Sequence, residues 1–190
     1  MRIPLDDAYW IMYTIVIQLG AILCLLVYFA PRITEFLATF PRGARGDRNP
    51  LTHPLGLTVL AFVVTAAPSF LLTRIIGKNL ESLAVIGISL IAGGVAMWIV
   101  DLAARARTRH MEDMTALQAA WIGACQILSG VFPGTSRSMS TITGGQMVGL
   151  SRTAALEFSF FLSIPTMAAA TGYDLFKSLR GDEANALGVA

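Results

Sequence analysis

The chain has 190 residues, of which 55% are hydrophobic and only 14% charged, against roughly a quarter charged in ordinary soluble domains. A mean hydropathy of +0.65 marks a polytopic membrane protein, and a net charge of +2 spread over short loops excludes a nucleic-acid-binding surface. Cys24 and Cys125 both stand in apolar runs without metal or redox spacing and read as buried, inert thiols.

A spanning helix needs about 20 mostly apolar residues. Residues 9–30 meet this without a charge. Asp6 and Asp7 precede them, where a signal peptide would need a basic region. Residues 55–76 form a second expected span, with Pro68 as a kink and Arg74 able to snorkel from its end. Residues 82–100 form a third, in which Gly87, Gly93 and Gly94 permit close helix packing. Residues 153–176 form the last, with Glu157 near its start and Pro165 in its middle. Glu157 reads either as a helix-end interface residue or as a partner that orders Arg137 or Arg152. Gln18 and Gln126, polar groups inside apolar segments, read as interhelical hydrogen-bonding groups.

The loops set an orientation. Residues 31–54 carry Arg32, Arg42, Arg45 and Arg48, and residues 101–114 carry Arg105, Arg107 and Arg109. Three spans place both loops on one side, which the positive-inside rule makes cytoplasmic. His53 and His110 lie in these loops and read as solvated interface residues, since neither has a metal-ligand partner at suitable spacing.

Residues 115–150 are too long for one span and too interrupted for two. Their centre reads GVFPGTSRSMSTITGG, residues 130–145. Pro133 and Gly134 stop a helix, and a second short helix is expected to start near residues 136–140 with serines as N-caps. Non-helical backbone at membrane depth is tolerated only when buried in protein or lining a polar cavity, so the segment is expected to be a re-entrant hairpin. The N-terminus of its second helix favours an anion, and Arg137 stands there with a planar fork suited to phosphate oxygens. Thr135, Ser136, Ser138, Ser140 and Thr141 add neutral donors, and Gly134, Gly144 and Gly145 would let backbone approach a ligand. The competing reading is an arginine that snorkels from an ordinary polar loop.

The string PGTSRSMSTITGGQMVGLSRTAALEFSFFLSIP, residues 133–165, resembles the second signature of the bacterial undecaprenyl-pyrophosphate phosphatase, or bacitracin-resistance, family. That signature runs P-G-x-S-R-S-G-A-T-I, then G, then S-R-x-x-A-x-x-F-S-F-x-L-x-x-P. Met139 and Ser140 stand where the family usually has Gly-Ala. Residues 15–23 (IVIQLGAIL) and 112–126 (EDMTALQAAWIGACQ) resemble two further family stretches. The resemblance implies an all-α, polytopic helical bundle built as an inverted repeat. It implies hydrolysis of a C55 isoprenyl pyrophosphate to the monophosphate and inorganic phosphate, which recycles the lipid carrier of peptidoglycan synthesis. Ser136 and Arg137 would be catalytic, Gly134, Thr135, Ser138 and Thr141 substrate-binding, and Mg²⁺ or Ca²⁺ the cofactor, with no metal ligand assigned in this chain. The expected partners are the polyprenyl pyrophosphate and a bacterial cytoplasmic membrane, with no nucleic acid; a homodimer is compatible with such a bundle.

The family's first signature, E-G-x-T-E-F-L-P-x-S-S-T-G-H, has no counterpart in these 190 residues. Residues 1–190 are therefore expected to form a single, partial membrane domain that carries one of two hairpins and half of the active site. A rival function is non-hydrolytic binding or transport of a polyprenyl phosphate. The phosphatidic acid phosphatase superfamily also uses an S-R element, but its P-S-G-H and following His are not found here.

Overall fold

The computed structural model of the protein describes residues 8–40, 51–72, 83–104, 108, 110–132 and 134–179. The structure is all-helical. The helices are α1 (Ala8–Tyr28), α2 (Ala30–Thr39), α3 (Pro54–Leu72), α4 (Leu83–Ala103), α5 (Ala116–Val131), α6 (Arg137–Met147) and α7 (Arg152–Leu179). Helices α1, α4 and α7 lie over residues 9–30, 82–100 and 153–176 to within a few residues, and α3 over 55–76 as far as residue 72; the end of that segment with Arg74 lies outside the described residues. Pro68 and Pro165 both sit inside continuous helices.

Two described helices, Leu83–Ala103 and Arg152–Tyr173, are long and apolar enough to cross a membrane, or up to three if the bent pair Val16–Tyr28 and Ala30–Thr39 is one span. The segment after α1 was expected to be loop. It begins instead with α2, whose amphipathic sequence buries Phe36. Asp101, also expected in a loop, belongs to the last turn of α4. The arginines at 42, 45, 48, 105, 107 and 109 lie outside the described residues.

The chain forms two compact units. The first comprises residues 1–33 and 163–190. Here α1 and the second half of α7 are joined by Thr171 Oγ1, which donates to Gln18 Oε1 at 3.0 Å, the interhelical role expected for Gln18. Cys24 faces outward on α1, not into a core; a thiol is apolar enough to suit the outer surface of an apolar helix.

The second unit, residues 34–162, carries the broken segment. In it α5 packs on α3 and on α6, and α6 also packs on α4. Small residues set these spacings. At Gly123 of α5 an added Cβ would strike the main chain of Ala61 in α3. The same crossing is tied by Thr65 Oγ1, which bridges Ala61 O at 2.9 Å and Gly123 O at 2.8 Å. Side-chain flexibility cannot relieve a clash with backbone, so Gly123→Ala should destabilise the protein by about 1–3 kcal/mol. Thermal unfolding in detergent should show the lowered midpoint, with Gly94→Ala as control, since nothing lies within 4 Å of a Cβ there.

His53 is not a solvated interface residue. It is 1% exposed and sits directly before α3, with its ring edge-on to Phe36 and Phe40 at centroid distances of 6.0 and 5.4 Å. Nδ1 accepts from the Leu55 N–H at 3.2 Å, which leaves the proton on Nε2 to donate to Thr39 Oγ1 at 3.2 Å. The neutral imidazole thus caps α3 and ties it to α2. Loop sequence signalled none of this, because burial of the ring depends on α2 folding back beside α3. His110, by contrast, is exposed as expected.

Burial lowers the pKa of His53 from 6.5. The unfolded chain therefore takes up the proton first as pH falls. Stability associated with His53 is complete above about pH 6.5 and declines as pH drops through the depressed folded value. Thermal midpoints measured from pH 8 to 5 should fall at the acid end, and His53→Asn, which can still cap a helix, should flatten that slope.

Candidate active site

The site is built at the break between α5 and α6. Thr115 opens α5 with a capping box, its hydroxyl accepting from Gln118 N–H while Gln118 Oε1 accepts from Thr115 N–H. Gln118 Nε2 then donates to Val148 O at 2.9 Å, tying the start of α5 to the end of α6. These two helices, of 16 and 11 residues, are each shorter than the roughly 20 residues of a spanning helix.

The turn between them is tight. Phe132 N–H closes α5 on Leu128 O at 2.9 Å, and Thr135 N–H donates to Phe132 O at 3.1 Å. Pro133 lies outside the described residues. Gly134 has φ +92°, a conformation that L side chains rarely adopt, and an added Cβ would stand 2.5 Å from Ile86 O. The turn therefore presses against α4 and needs glycine on both counts. A second glycine at positive φ, Gly149 at +88°, marks the exit from α6.

Ser136 occupies the N-cap position of α6 in extended conformation, φ −64° and ψ 130°. Its hydroxyl makes no cap bond to the helix and is exposed, unlike the capping serine expected. The first-turn N–H groups of α6 are thus not covered by the side chain best placed to cover them. Arg137 is the first helical residue and is half-buried, as are Gly134, Thr135 and Ser138. Residues 134–138 are thereby gathered at one helix start, where the first-turn N–H groups, the helix dipole and a guanidinium all favour negative charge.

Thr141 is placed differently. It is one turn into α6 and 2% exposed, with its hydroxyl on Arg137 O and Ser138 O, both at 3.1 Å. Ser140 Oγ likewise bonds Ser136 O at 3.2 Å. Gly144 and Gly145 were expected to admit a ligand. Instead they admit other helices: a Cβ at Gly144 would meet Cys125 Sγ at 2.7 Å and one at Gly145 would meet Ala155 Cβ at 3.0 Å. Helical spacing puts both glycines on packed faces of α6, which the bare motif did not reveal. Gly93 plays the same part on α4, against the Met139 side chain.

Beyond the site residues expected from sequence, the structure adds four. Ser159 of α7 lies 2.6 Å from Thr141 through their hydroxyls; its place in the F-S-F signature was the available signal. At the far end of α6, buried Gln146 donates from Nε2 to Asp101 Oδ1 at 2.8 Å, and Arg152 Nη1 meets Asp101 Oδ2 at 3.3 Å. That trio joins α4, α6 and α7 across residues 45 and 51 apart in sequence, which no local pattern discloses. No cluster of three or more His, Cys, Asp or Glu side chains suited to a metal ion occurs among the described residues. They do not by themselves fit the divalent cation that the resemblance implies.

Apolar helices, two of them long enough to cross a membrane among the described residues, and a helix broken by a glycine turn together define a helical membrane protein. The family is shown by sequence: residues 2–190 match the family described as bacitracin resistance protein BacA, and the chain belongs to it. The undecaprenyl-diphosphatase of Koribacter versatilis is 61% identical over all of this chain and 68% of its own length. Undecaprenyl-diphosphatase 2 of Paramagnetospirillum magneticum is 42% identical over 87% of this chain and 61% of its own. The undecaprenyl-diphosphatase of Thermus thermophilus is 39% identical over 91% of this chain and 61% of its own. The chain thus spans between three fifths and about two thirds of the length of these relatives.

Proposed function

We propose that this chain supplies the phosphate-holding half of an undecaprenyl-diphosphatase, which hydrolyses undecaprenyl pyrophosphate to undecaprenyl phosphate and inorganic phosphate. The observation that carries the reading is the start of α6, where the Ser136 hydroxyl is left uncommitted to the cap and Arg137 stands beside it. The relatives' names agree with hydrolysis and lend nothing to a non-hydrolytic carrier.

In this reading the guanidinium of Arg137 takes two oxygens of the terminal phosphoryl group in parallel N–H···O bonds. The first-turn N–H groups of α6 take a third, and Ser136 Oγ–H donates to the same group. Charge that builds on the phosphoryl oxygens as water attacks phosphorus and the isoprenyl phosphate leaves is met by donors already in place. Ser138 and Thr135 border the group, and Gly134 lets the chain turn beneath it. A divalent cation would share the pyrophosphate charge when bound; the steps assigned to these residues do not run through it.

We read the chain as a multi-pass protein of the bacterial cytoplasmic membrane, with the arginine-bearing segments that follow α2 and α4 on the cytoplasmic side. Residues 115–150 are read as a re-entrant hairpin, supported by the short lengths of α5 and α6. Phosphate release from an isoprenyl pyrophosphate by the full reading frame containing this chain, compared with Arg137 variants, tests the function. Release unaffected by loss of the guanidinium would overturn it.

A further inference from the structure

Among the hydroxyls near Arg137, that of Thr141 does not open towards the turn. It is 2% exposed and is shared among three oxygens: Arg137 O and Ser138 O at 3.1 Å and Ser159 Oγ at 2.6 Å. A hydroxyl has one proton and a carbonyl has none to give. Thr141 therefore donates back to the carbonyls of the first turn, and Ser159 Oγ–H donates to Thr141 Oγ1.

Ser159 is itself 5% exposed and is flanked on α7 by Ala155, Phe158 and Leu162, all buried. One turn further along α6 and one turn earlier on α7, an added Cβ at Gly145 would stand 3.0 Å from Ala155 Cβ. The pairs 141–159 and 145–155 step in opposite senses along the two helices. They define an antiparallel seam in which the Ser159 hydroxyl has a fixed address. The chain of bonds then runs from α7 through Thr141 to the carbonyl of Arg137 itself. Ser136 contributes no side-chain cap, and this buried relay, beside the Ser140 Oγ bond to Ser136 O, restrains the turn that carries the guanidinium.

We infer that Ser159 is a positioning residue for Arg137, acting through Thr141 to hold the first turn of α6 where the guanidinium meets a pyrophosphate. The inference rests on the reading of Arg137 as the phosphate-holding group. It moves Thr141 from substrate contact to support, and it predicts that the pair acts as one unit.

The test uses the full reading frame in detergent, with farnesyl pyrophosphate as the probe. Arg137 is modified with phenylglyoxal, and its protection by the probe is followed by peptide mass spectrometry alongside kcat/KM. Loss of one net hydrogen bond corresponds to about a 2–10-fold effect. Ser159→Ala should raise the half-protecting concentration and lower kcat/KM by that factor, with an unchanged helical signature. Ser159→Thr, which keeps a hydroxyl, should restore much of both. Thr141→Val should lose at least as much as Ser159→Ala, and the double variant should be no worse than Thr141→Val alone, because neighbours in one network are not additive. Wild-type protection in both Ser159→Ala and Thr141→Val, or additive losses in the double variant, overturns the inference while leaving Arg137 in place. Arg137 unprotected in the wild type overturns the phosphate-holding reading and the inference together. Should Ser159→Ala fail to fold, Thr141→Val carries the same comparison.

Discussion

Arg137→Lys, assayed in the full reading frame, is expected to lose one to two decades of phosphate release although the charge is kept. Lysine is a compact point charge, whereas arginine offers a rigid fork that binds two phosphate oxygens at once. Arg137 is half-buried at the start of α6, so a charge-assisted bond lost there is not replaced freely by water. One such bond is worth about 1.5–3 kcal/mol, and each 1.36 kcal/mol is about tenfold in rate. Arg152→Lys is the control. Its side chain is 62% exposed and meets Asp101 at 3.3 Å; exposed pairs of this kind contribute about 0–1 kcal/mol, and lysine can replace it. Equal behaviour of the two variants would show that Arg137 is a structural residue at the start of α6.

Gly134→Ala should be more damaging to folding than alanine at Gly93, Gly94, Gly123, Gly144 or Gly145. At φ +92° the alanine would be strained, and its Cβ would stand 2.5 Å from Ile86 O and 2.9 Å from Ile86 Cα. Left-handed backbone costs an L residue about 1–2 kcal/mol, and overpacking adds about 1–3 kcal/mol. The two causes act on the same turn, so the expected loss is about 2–5 kcal/mol. Because the turn leads directly into Ser136 and Arg137, activity should fall along with the thermal midpoint. Gly94→Ala, with open space at the Cβ position, should change neither by much. A Gly134→Ala protein with normal stability would mean that the turn does not press on α4 as described.

The two largest effects come from positions that differ in how they could be read. Arg137 is conspicuous in sequence because an arginine between apolar segments is costly and therefore functional by default. Gly134 is conspicuous as a helix stop, but its contact with Ile86, 48 positions earlier by residue number, is a product of helix packing. The same division holds at Gly144 and Gly145. Composition alone allowed them to serve a ligand, and the neighbours Cys125 and Ala155 show that they serve other helices.

Sequence by itself determined the class of protein, the long apolar helical segments and the break, though not α2. Apolar runs of about 20 residues have few ways to satisfy their backbone in lipid, so α1, α4 and α7 were legible from local composition. Glycine at 134 followed by Ser136 and Arg137 was legible as an interrupted helix whose second part starts at an arginine, because those properties belong to individual residues. Tertiary structure alone decided which polar groups are spent. His53 reads as a loop residue until α2 folds beside α3 and buries it. Thr141 reads as one more donor near Arg137 until α7 brings Ser159 to 2.6 Å and its hydroxyl is committed to the helix. The physical reason is common to both: a hydroxyl or an imidazole has a fixed, small number of bonds to give, and only the arrival of distant helices determines who receives them.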